Sequence, residues 1–435
     1  MDERRKRLLR TIERYTSVTE GTQVTRKKGR IIYIAVLIAA IAASFAAGYF
    51  SRFLVAGGAQ EVTTIKIGAL LPLSGDLASF GARNRNAIQL AIEDVNRFAE
   101  KMGSRFRFQV LFEDTGTDPE AARSRMEALA AQGVKAFIGP MSSREVSQVK
   151  PFADANKLLV VSQSSTAVAL AIPGDYVYRV VPPDSYQGKA LAKFIYTGGF
   201  KNAIVIYRND AWGKGLFENF KSNFEALGGK IESLAYDVSA KEFSAEVART
   251  AELAQRLGPS TAVLLISFEE GIQIIKLAAG NPILSKLKWF GTDGLALNSK
   301  LASEAGAEAV LLGGLPSTVY VPSANPIQES FKARYRQLYG EDPDSYSLNS
   351  CDAVWLIALS IMLSGDYDGE KLAELLPLVA NRYYGVTGTI SLDENGDRKA
   401  GDYGIFQLLR EGNEYAWRLV AVYSIDTDAV TPAGG

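Results

Sequence analysis

TIKIGALL, residues 64–71, opens the regular part of this chain, and FRFQVLFE (106–113), VKAFIG (134–139) and KLLVVS (157–162) repeat its character. Each is a short run rich in apolar, β-branched and aromatic residues. Between them, 80–101, 118–132 and 142–155 carry apolar residues at helical spacing. Strands that are apolar throughout and alternate with amphipathic helices are buried on both faces, which is the pattern of parallel βαβ units. A second series follows, with strands KNAIVIY (201–207), GKIESLAY (229–236), TAVLLIS (261–267) and KLKWFG (286–291) and helices over 184–197, 212–227, 241–257 and 269–280. Two successive series predict an α/β fold of two doubly wound parallel-sheet lobes. Helices at 325–338 and 344–364 come next, then GVTGTISLDENGD and YGIFQLL, where Asn395-Gly396 is a hairpin-turn signal. Asp393, Asn395 and Asp397 also have the spacing of a calcium loop, but the loop's terminal Glu is missing and the turn is the preferred reading.

Upstream, Ile31–Phe50 is a run of twenty uncharged residues, long enough as a helix to cross the roughly 30 Å of a bilayer core. Residues 1–30 hold ten Lys or Arg against four acids, a net of +6, and the remainder has 38 basic and 44 acidic residues, a net of −6. The overall zero is therefore a cancellation. Basic residues 26–30 abut the apolar run, so the positive-inside rule places the N-terminus in the cytoplasm and the rest outside. A retained single-pass signal-anchor is the leading expectation. A cleaved secretory signal and processing after Gly29 are the alternatives.

Composition removes whole classes of chemistry. With no histidine, Ser-His-Asp and Cys-His catalysis and His-ligated metals are excluded, and the lone Cys351 forms neither an internal disulfide nor a thiolate cluster. No nucleotide fingerprint occurs, since Gly213-Lys214-Gly215 lacks the remainder of either motif. The expectation is a protein that is not an enzyme, with no cofactor, no metal and no nucleic-acid partner.

Open α/β sheets bind ligands beyond the C-terminal ends of their strands. In the first series this selects LPLSGDLASFG (71–81), with Phe80 at a helix start; IGPMSSREVSQV, where Ser142 and Glu145 form a capping box and Ser143 follows; and VVSQSSTAVAL, with Ser164 and Thr166. In the second it selects Trp212 in YRNDAWGKG, Phe268 in SFEEG, and Asp293 between glycines in GTDGLALN. A ligand carboxylate would meet hydroxyls and helix N–H groups on one side. Asp293 would supply the counter-charge for an ammonium, and the aromatics an apolar wall. The competing readings are helix caps for the serines, a turn residue for Asp293 and core packing for the aromatics.

IKIGALLPLSG, QLAIEDVN, AFIGPMSS, YRNDAWGKG, WFGTDG and ISLDENGD…YGIFQ, in that order over residues 64–424, resemble the type I periplasmic binding proteins, in particular the leucine/isoleucine/valine-binding branch of branched-chain amino acid ABC importers. Gly291-Thr292-Asp293-Gly294 also resembles the Gly-Ser-Asp-Gly segment of the metabotropic glutamate receptor ligand-binding region. The resemblance implies two lobes joined by three crossings, near Pro182–Asp184, Pro316–Thr318 and Gly388–Ile390. The expected division is a cytoplasmic tail (1–30), anchor (31–53), linker (54–63), lobe 1 (64–183 plus 317–389), lobe 2 (184–316 plus 390–424) and a C-terminal tail (425–435). It also implies Ser143, the Ser164 main chain and Thr166 on the ligand carboxylate, Asp293 on its ammonium, and Phe80, Trp212 and Phe268 as the wall. Phe80 and Trp212 stand where tyrosines are common and Asp293 is shorter than the branch's Glu, so the ligand side chain stays open. The implied function is capture of an amino acid, branched-chain or otherwise apolar, for an ABC permease and ATPase. A sensor ectodomain, or a binding protein for an amide, urea or aromatic carboxylate, is the alternative. Arg83 and Arg208 lie near the expected cleft, as selectors of acidic side chains or as solvated surface residues.

Overall fold

The structure, a computed structural model, describes residues 61–434, so the expected tail, the apolar run Ile31–Phe50 and nearly all of the linker lie outside the described residues. The first sheet contains β1 (Thr63–Leu71), β2 (Phe106–Asp114), β3 (Ala136–Ile138), β4 (Leu159–Ser162) and β5 (Val177–Arg179) in the order β2-β1-β3-β4-β5, all parallel. Helices α1 (Ala78–Lys101), α2 (Pro119–Ala131) and α3 (Ser143–Ala155) cover it. The apolar run Ile67–Leu71 of β1 follows from this burial, while Lys66 before it is exposed. Ile65, Ile67, Ala69 and Leu71 pack in the cluster that holds Ala87, Ile88 and Ala91 of α1. Leu70 packs in the cluster that holds Met126 and Leu129 of α2 and Val146 and Val149 of α3.

The second sheet alternates α4 (Asp184–Thr197), β6 (Asn202–Arg208), α5 (Ala211–Ala226), β7 (Lys230–Tyr236), α6 (Ser244–Leu257), β8 (Thr261–Ile266), α7 (Gly271–Ala279) and β9 (Lys288–Phe290), with parallel strand order β7-β6-β8-β9. The strand order reverses at β1/β3 in one sheet and at β6/β8 in the other, and those reversals open the crevices where ligands sit. Side-chain caps set the starts of several helices, among them Asp118 for α2, Ser142 for α3 and Asp210 for α5.

The rest of the chain is less regular: α8 (Ser299–Leu311), β10 (Ser317–Val321), α9 (Pro326–Tyr339), α10 (Ser345–Ser364), α11 (Gly369–Ala380), the two-residue strands β11 (Tyr384–Gly385) and β12 (Gly388–Thr389), then β13 (Asp402–Glu411), β14 (Glu414–Ser424) and β15 (Ala429–Pro432). Strands β10-β13-β14-β15 form an antiparallel sheet, and a Gly291–Ser317 bridge joins it to the second parallel sheet. Helix α10 is long and apolar enough to cross a membrane, yet it is a core helix, buried along most of its length against α1 and α11.

Two expected crossings move. Ser317–Val321 pairs residue by residue with β13, so the chain leaves the second lobe after Val321 and not at Pro316–Thr318. Beyond Gly388–Ile390, the Asp393–Asp397 turn still belongs with the first sheet, because Asp397 bridges Arg179 and the Arg398 N–H donates to the Arg179 carbonyl at 2.9 Å. The chain therefore crosses after Arg398. The expected tail 425–435 is also corrected, since Ala429–Pro432 pairs with Ala421–Ser424 as the sheet's last strand. Asn395-Gly396 does form a turn: Asp393 Oδ1 accepts from the Asn395 and Asp397 N–H groups at 2.9 Å, and Gly396 takes φ +78°.

The crossings pack together. Arg398 donates to the carbonyls of Thr387 and Thr389 at 2.8 and 2.9 Å and to Val180 at 3.3 Å, and its guanidinium stands 5.0 Å over the Tyr320 ring. A Cβ on Gly401 would lie 2.2 Å from Tyr320 and 3.0 Å from Pro182, so a side chain there would force the strands apart. Beneath them Arg179 and Asp397, both almost fully buried, form a two-point ion pair.

Candidate functional site

The strand-end loops converge on one narrow cavity between the two lobes, lined by Leu77, Phe80, Met141, Ser142, Ser143, Ser164, Trp212, Phe268, Asp293, Gly294 and Tyr346. Six of the seven residues singled out in the sequence therefore meet: Phe80, Ser143, Ser164, Trp212, Phe268 and Asp293. Thr166 does not line the cavity. It is buried behind it, and its carbonyl accepts the Asp184 N–H at 2.9 Å at the start of α4.

On the first-lobe side the capping box is complete. The Glu145 N–H donates to Ser142 Oγ at 3.2 Å, and the Glu145 carboxylate accepts from the Ser142 N–H at 3.1 Å. Ser142 is thus occupied as a cap. Ser143 differs, because its Oγ accepts from Ser165 Oγ at 2.9 Å and from the Ala167 N–H at 3.2 Å. Both contacts use the oxygen's lone pairs, which leaves the hydroxyl proton for an acceptor in the cavity. Ser164 Oγ donates to the Met141 carbonyl at 2.9 Å. This corner presents hydroxyls at the start of α3, where the helix dipole favours an anion.

On the opposite side Asp293 accepts from Gln187 Nε2 at 2.9 Å and from the Tyr346 hydroxyl at 2.5 Å. Burial raises its carboxyl above the ordinary aspartate range, and the Tyr346 and Gln187 bonds oppose that rise. Behind it lies Asp184, with no exposure, beside the Thr166 hydroxyl. Asp184 is held well above the ordinary range, first by burial and then by the negative Asp293. Two buried acids thus adjoin, and of the two only Asp293 lines the cavity.

Between these poles the wall is aromatic. Trp212 and Phe268 stack at 4.7 Å with 21° between their planes, and Phe80 meets Tyr346 edge to face at 6.1 Å. Arg208 lies 4.0 Å over Phe268, on which Trp212 also stacks, and is paired with Asp210 and Glu270. Arg208 and Arg83 are both buried and neither lines the cavity, so they are not solvated surface residues. Arg83 is held by Asp344 at 3.4 Å and donates to the Leu297 carbonyl at 3.0 Å.

Tyr346, Gln187 and Asp184 are not among the site residues expected from the sequence, where Asp184 marks only a crossing. Tyr346 enters from the first turn of α10, a helix whose composition reads as core, and Gln187 and Asp184 from the first turn of α4, just past a crossing. None lies in a strand-end loop. For the two α4 residues the available signal was PDSYQG, where Asp184 and Gln187 stand one turn apart at a helix start.

Two parallel-sheet lobes with a polar and aromatic cleft at their strand ends define a type I periplasmic binding protein fold. Residues 83–411 match the receptor family ligand binding region, and the chain belongs to that family. It is 36% identical over 402 residues to the uncharacterized protein MJ1266 of Methanocaldococcus jannaschii, covering 85% of this chain and 94% of that one. It is 25% identical over 380 residues to the leucine-, isoleucine-, valine-, threonine-, and alanine-binding protein of Pseudomonas aeruginosa, covering 82% and 94%. Among solved structures, the leucine-binding protein LivK of Thermotoga maritima superposes with a TM-score of 0.68 at 24% identity, over 83% of this chain and 99% of that one.

Proposed function

We propose that this chain is the membrane-anchored, extracytoplasmic substrate-binding protein of an ABC importer and that it captures an amino acid with an apolar side chain. The observation that carries the reading is the polarity of the cavity. Hydroxyls and a helix N-terminus stand at one end, Asp293 stands at the other, and only Leu77, Phe80, Met141, Trp212, Phe268, Tyr346 and Gly294 complete the lining. An α-amino acid has this charge separation, with its carboxylate toward the Ser143 hydroxyl and the Ser164 main chain and its ammonium on Asp293. A ligand with a charged side chain would bury that charge against apolar groups without a partner, which is costly. An aromatic carboxylate would leave Asp293 facing a ring.

In this reading lobe 1 comprises residues 61–181 and 323–399, and lobe 2 comprises 184–321 and 402–432. The ligand bridges them, and its greater affinity for the closed state drives closure, the form the permease would recognise. Relatives named for leucine, isoleucine and valine binding support the amino-acid class. The test is a thermal-shift and calorimetric panel of the twenty amino acids, with urea, acetamide and benzoate as contrasts. Binding of an apolar amino acid is expected. A chain that binds benzoate and no amino acid would sink the reading.

A further inference from the structure

Helix α1 lacks a cap of its own. Leu77 holds the N-cap position without a side-chain bond, and the first turn contains no acid. The second lobe supplies what is missing. Glu269, in the loop after β8, accepts from the Ser79 N–H at 3.2 Å and from Ser79 Oγ at 2.5 Å through one carboxylate oxygen. The same oxygen accepts from Asn298 Nδ2 at 3.3 Å, and Asn298 Nδ2 also reaches Ser79 Oγ at 3.2 Å. Lys300 Nζ lies 3.2 Å from the other oxygen, and the Glu269 N–H donates to the Asp76 carbonyl at 3.1 Å. Glu269 is buried by these contacts, and none of Glu269, Ser79, Asn298 or Lys300 lines the ligand cavity.

We propose that Glu269 and Ser79 form a closing latch, in which a carboxylate of one lobe caps the first helix of the other, so that affinity for any cleft ligand is set in part by residues that never touch it. Opening the lobes uncovers the N-terminus of α1 and returns its free N–H groups to water. A charge-assisted cap is lost with them, at a site where the helix dipole adds to the attraction. The latch therefore favours the closed state with or without ligand. Observed affinity scales with the population of the binding-competent form, so weakening the latch weakens binding of every ligand by the same factor. The binding readout rests on the amino-acid reading above, whereas the conformational readout does not.

The experiment uses the full chain with spin labels on Ser124→Cys and Ser303→Cys, exposed positions on α2 and α8, while Cys351 stays buried. Electron–electron distance distributions without added ligand are compared for the otherwise unchanged chain, Ser79→Ala, Glu269→Ala and the double variant. The expected result is a shift toward longer separations in both single variants, larger in Glu269→Ala, which loses both Ser79 bonds, and a double variant that shifts less than the sum of the two. Leucine and valine affinities should fall together by about tenfold, the size of one charge-assisted hydrogen bond. Ser79→Ala removes one hydroxyl and tests the latch even where Glu269→Ala fails to fold. Identical distance distributions, or leucine and valine affinities that change by different factors, overturn the proposal. Longer distances in a chain that binds neither amino acid uphold the latch and remove the amino-acid reading.

Discussion

The Tyr346 hydroxyl donates to Asp293 Oδ2 at 2.5 Å, tying α10, which packs on the first lobe's α1, to the loop after β9 in the second lobe. One carboxylate therefore joins the lobes and faces the cavity. Asp293→Asn keeps the shape and removes the charge, and it should weaken amino-acid binding by roughly 10- to 100-fold, the range for losing one hydrogen bond to a charged group. Tyr346→Phe should cost about tenfold. Calorimetry checks both, with thermal unfolding as the control: affinity is expected to move far more than the melting temperature. Equal affinities for Asp293→Asn and the unsubstituted chain would detach Asp293 from the ammonium.

Asp184 predicts a pH dependence of stability. Its carboxyl is raised well above the usual aspartate range by burial and by Asp293, so the folded chain holds that proton to higher pH than the unfolded chain does. Between the two values the folded state binds more protons, and stability falls as pH rises. Around it stand Asp293, Thr166, Arg179, Asp210, Tyr346 and Tyr403, and only Arg179 among them opposes the shift as a cation. Asp184→Asn removes the titration. It should raise stability at neutral pH, and the gain should vanish as pH approaches 4. Urea titrations at a series of pH values test this, and a gain that is constant with pH would refute it.

The parallel sheets were legible because a strand buried on both faces must be apolar throughout. KNAIVIY and TAVLLIS hold the centre of the second sheet as β6 and β8, exposed at almost no position. The cavity was legible for a related reason: a loop leaving the C-terminal end of a parallel strand faces the cleft, which places Ser143, Trp212 and Asp293 by topology alone. Non-local pairing leaves no mark on a single segment. Ser317–Val321 looks like any short apolar run, and only its pairing with β13, more than eighty residues on, assigns it to the second lobe. Likewise α8 and α11 are absent from the reading. SKLASEAGAEAVL is Ala-rich with little amphipathic contrast, and GEKLAELLPLVA carries a proline that argues against a helix.

Gly294 is required by the aromatic wall. A Cβ there would lie 2.4 Å from the Ser267 carbonyl oxygen, 2.8 Å from the Phe268 ring and 3.2 Å from Trp212. The carbonyl belongs to the backbone after β8 and has little room to retreat. Gly294→Ala should therefore splay the stacked pair, destabilise the fold by about 1–3 kcal/mol as overpacking does, and weaken ligand binding beyond that loss. Trp212 fluorescence supplies the local readout. An unchanged spectrum with unchanged affinity would show that the wall adapts.

The Arg179–Asp397 pair should behave as a buried ion pair at a hinge. Both side chains are about 1% exposed, and Arg179 also donates to the Ala167 carbonyl at 2.7 Å. Removing one partner leaves the other charge buried and unpaired, so Arg179→Met and Asp397→Leu should each cost about 3–5 kcal/mol. The double variant Arg179→Met/Asp397→Leu removes both charges and replaces them with apolar groups, and it should recover most of that loss. The two residues come from different crossings, β5 before the first and the Asp393–Asp397 turn before the last, so the pair also holds these strands in register. Recovered stability with altered ligand affinity would separate the two roles. The apolar pair can replace the buried charges energetically, but it cannot reproduce the two-point geometry that aligns the crossings. Chemical denaturation combined with calorimetry makes the distinction, and strictly additive losses in the double variant would show that the two charges do not act as a pair.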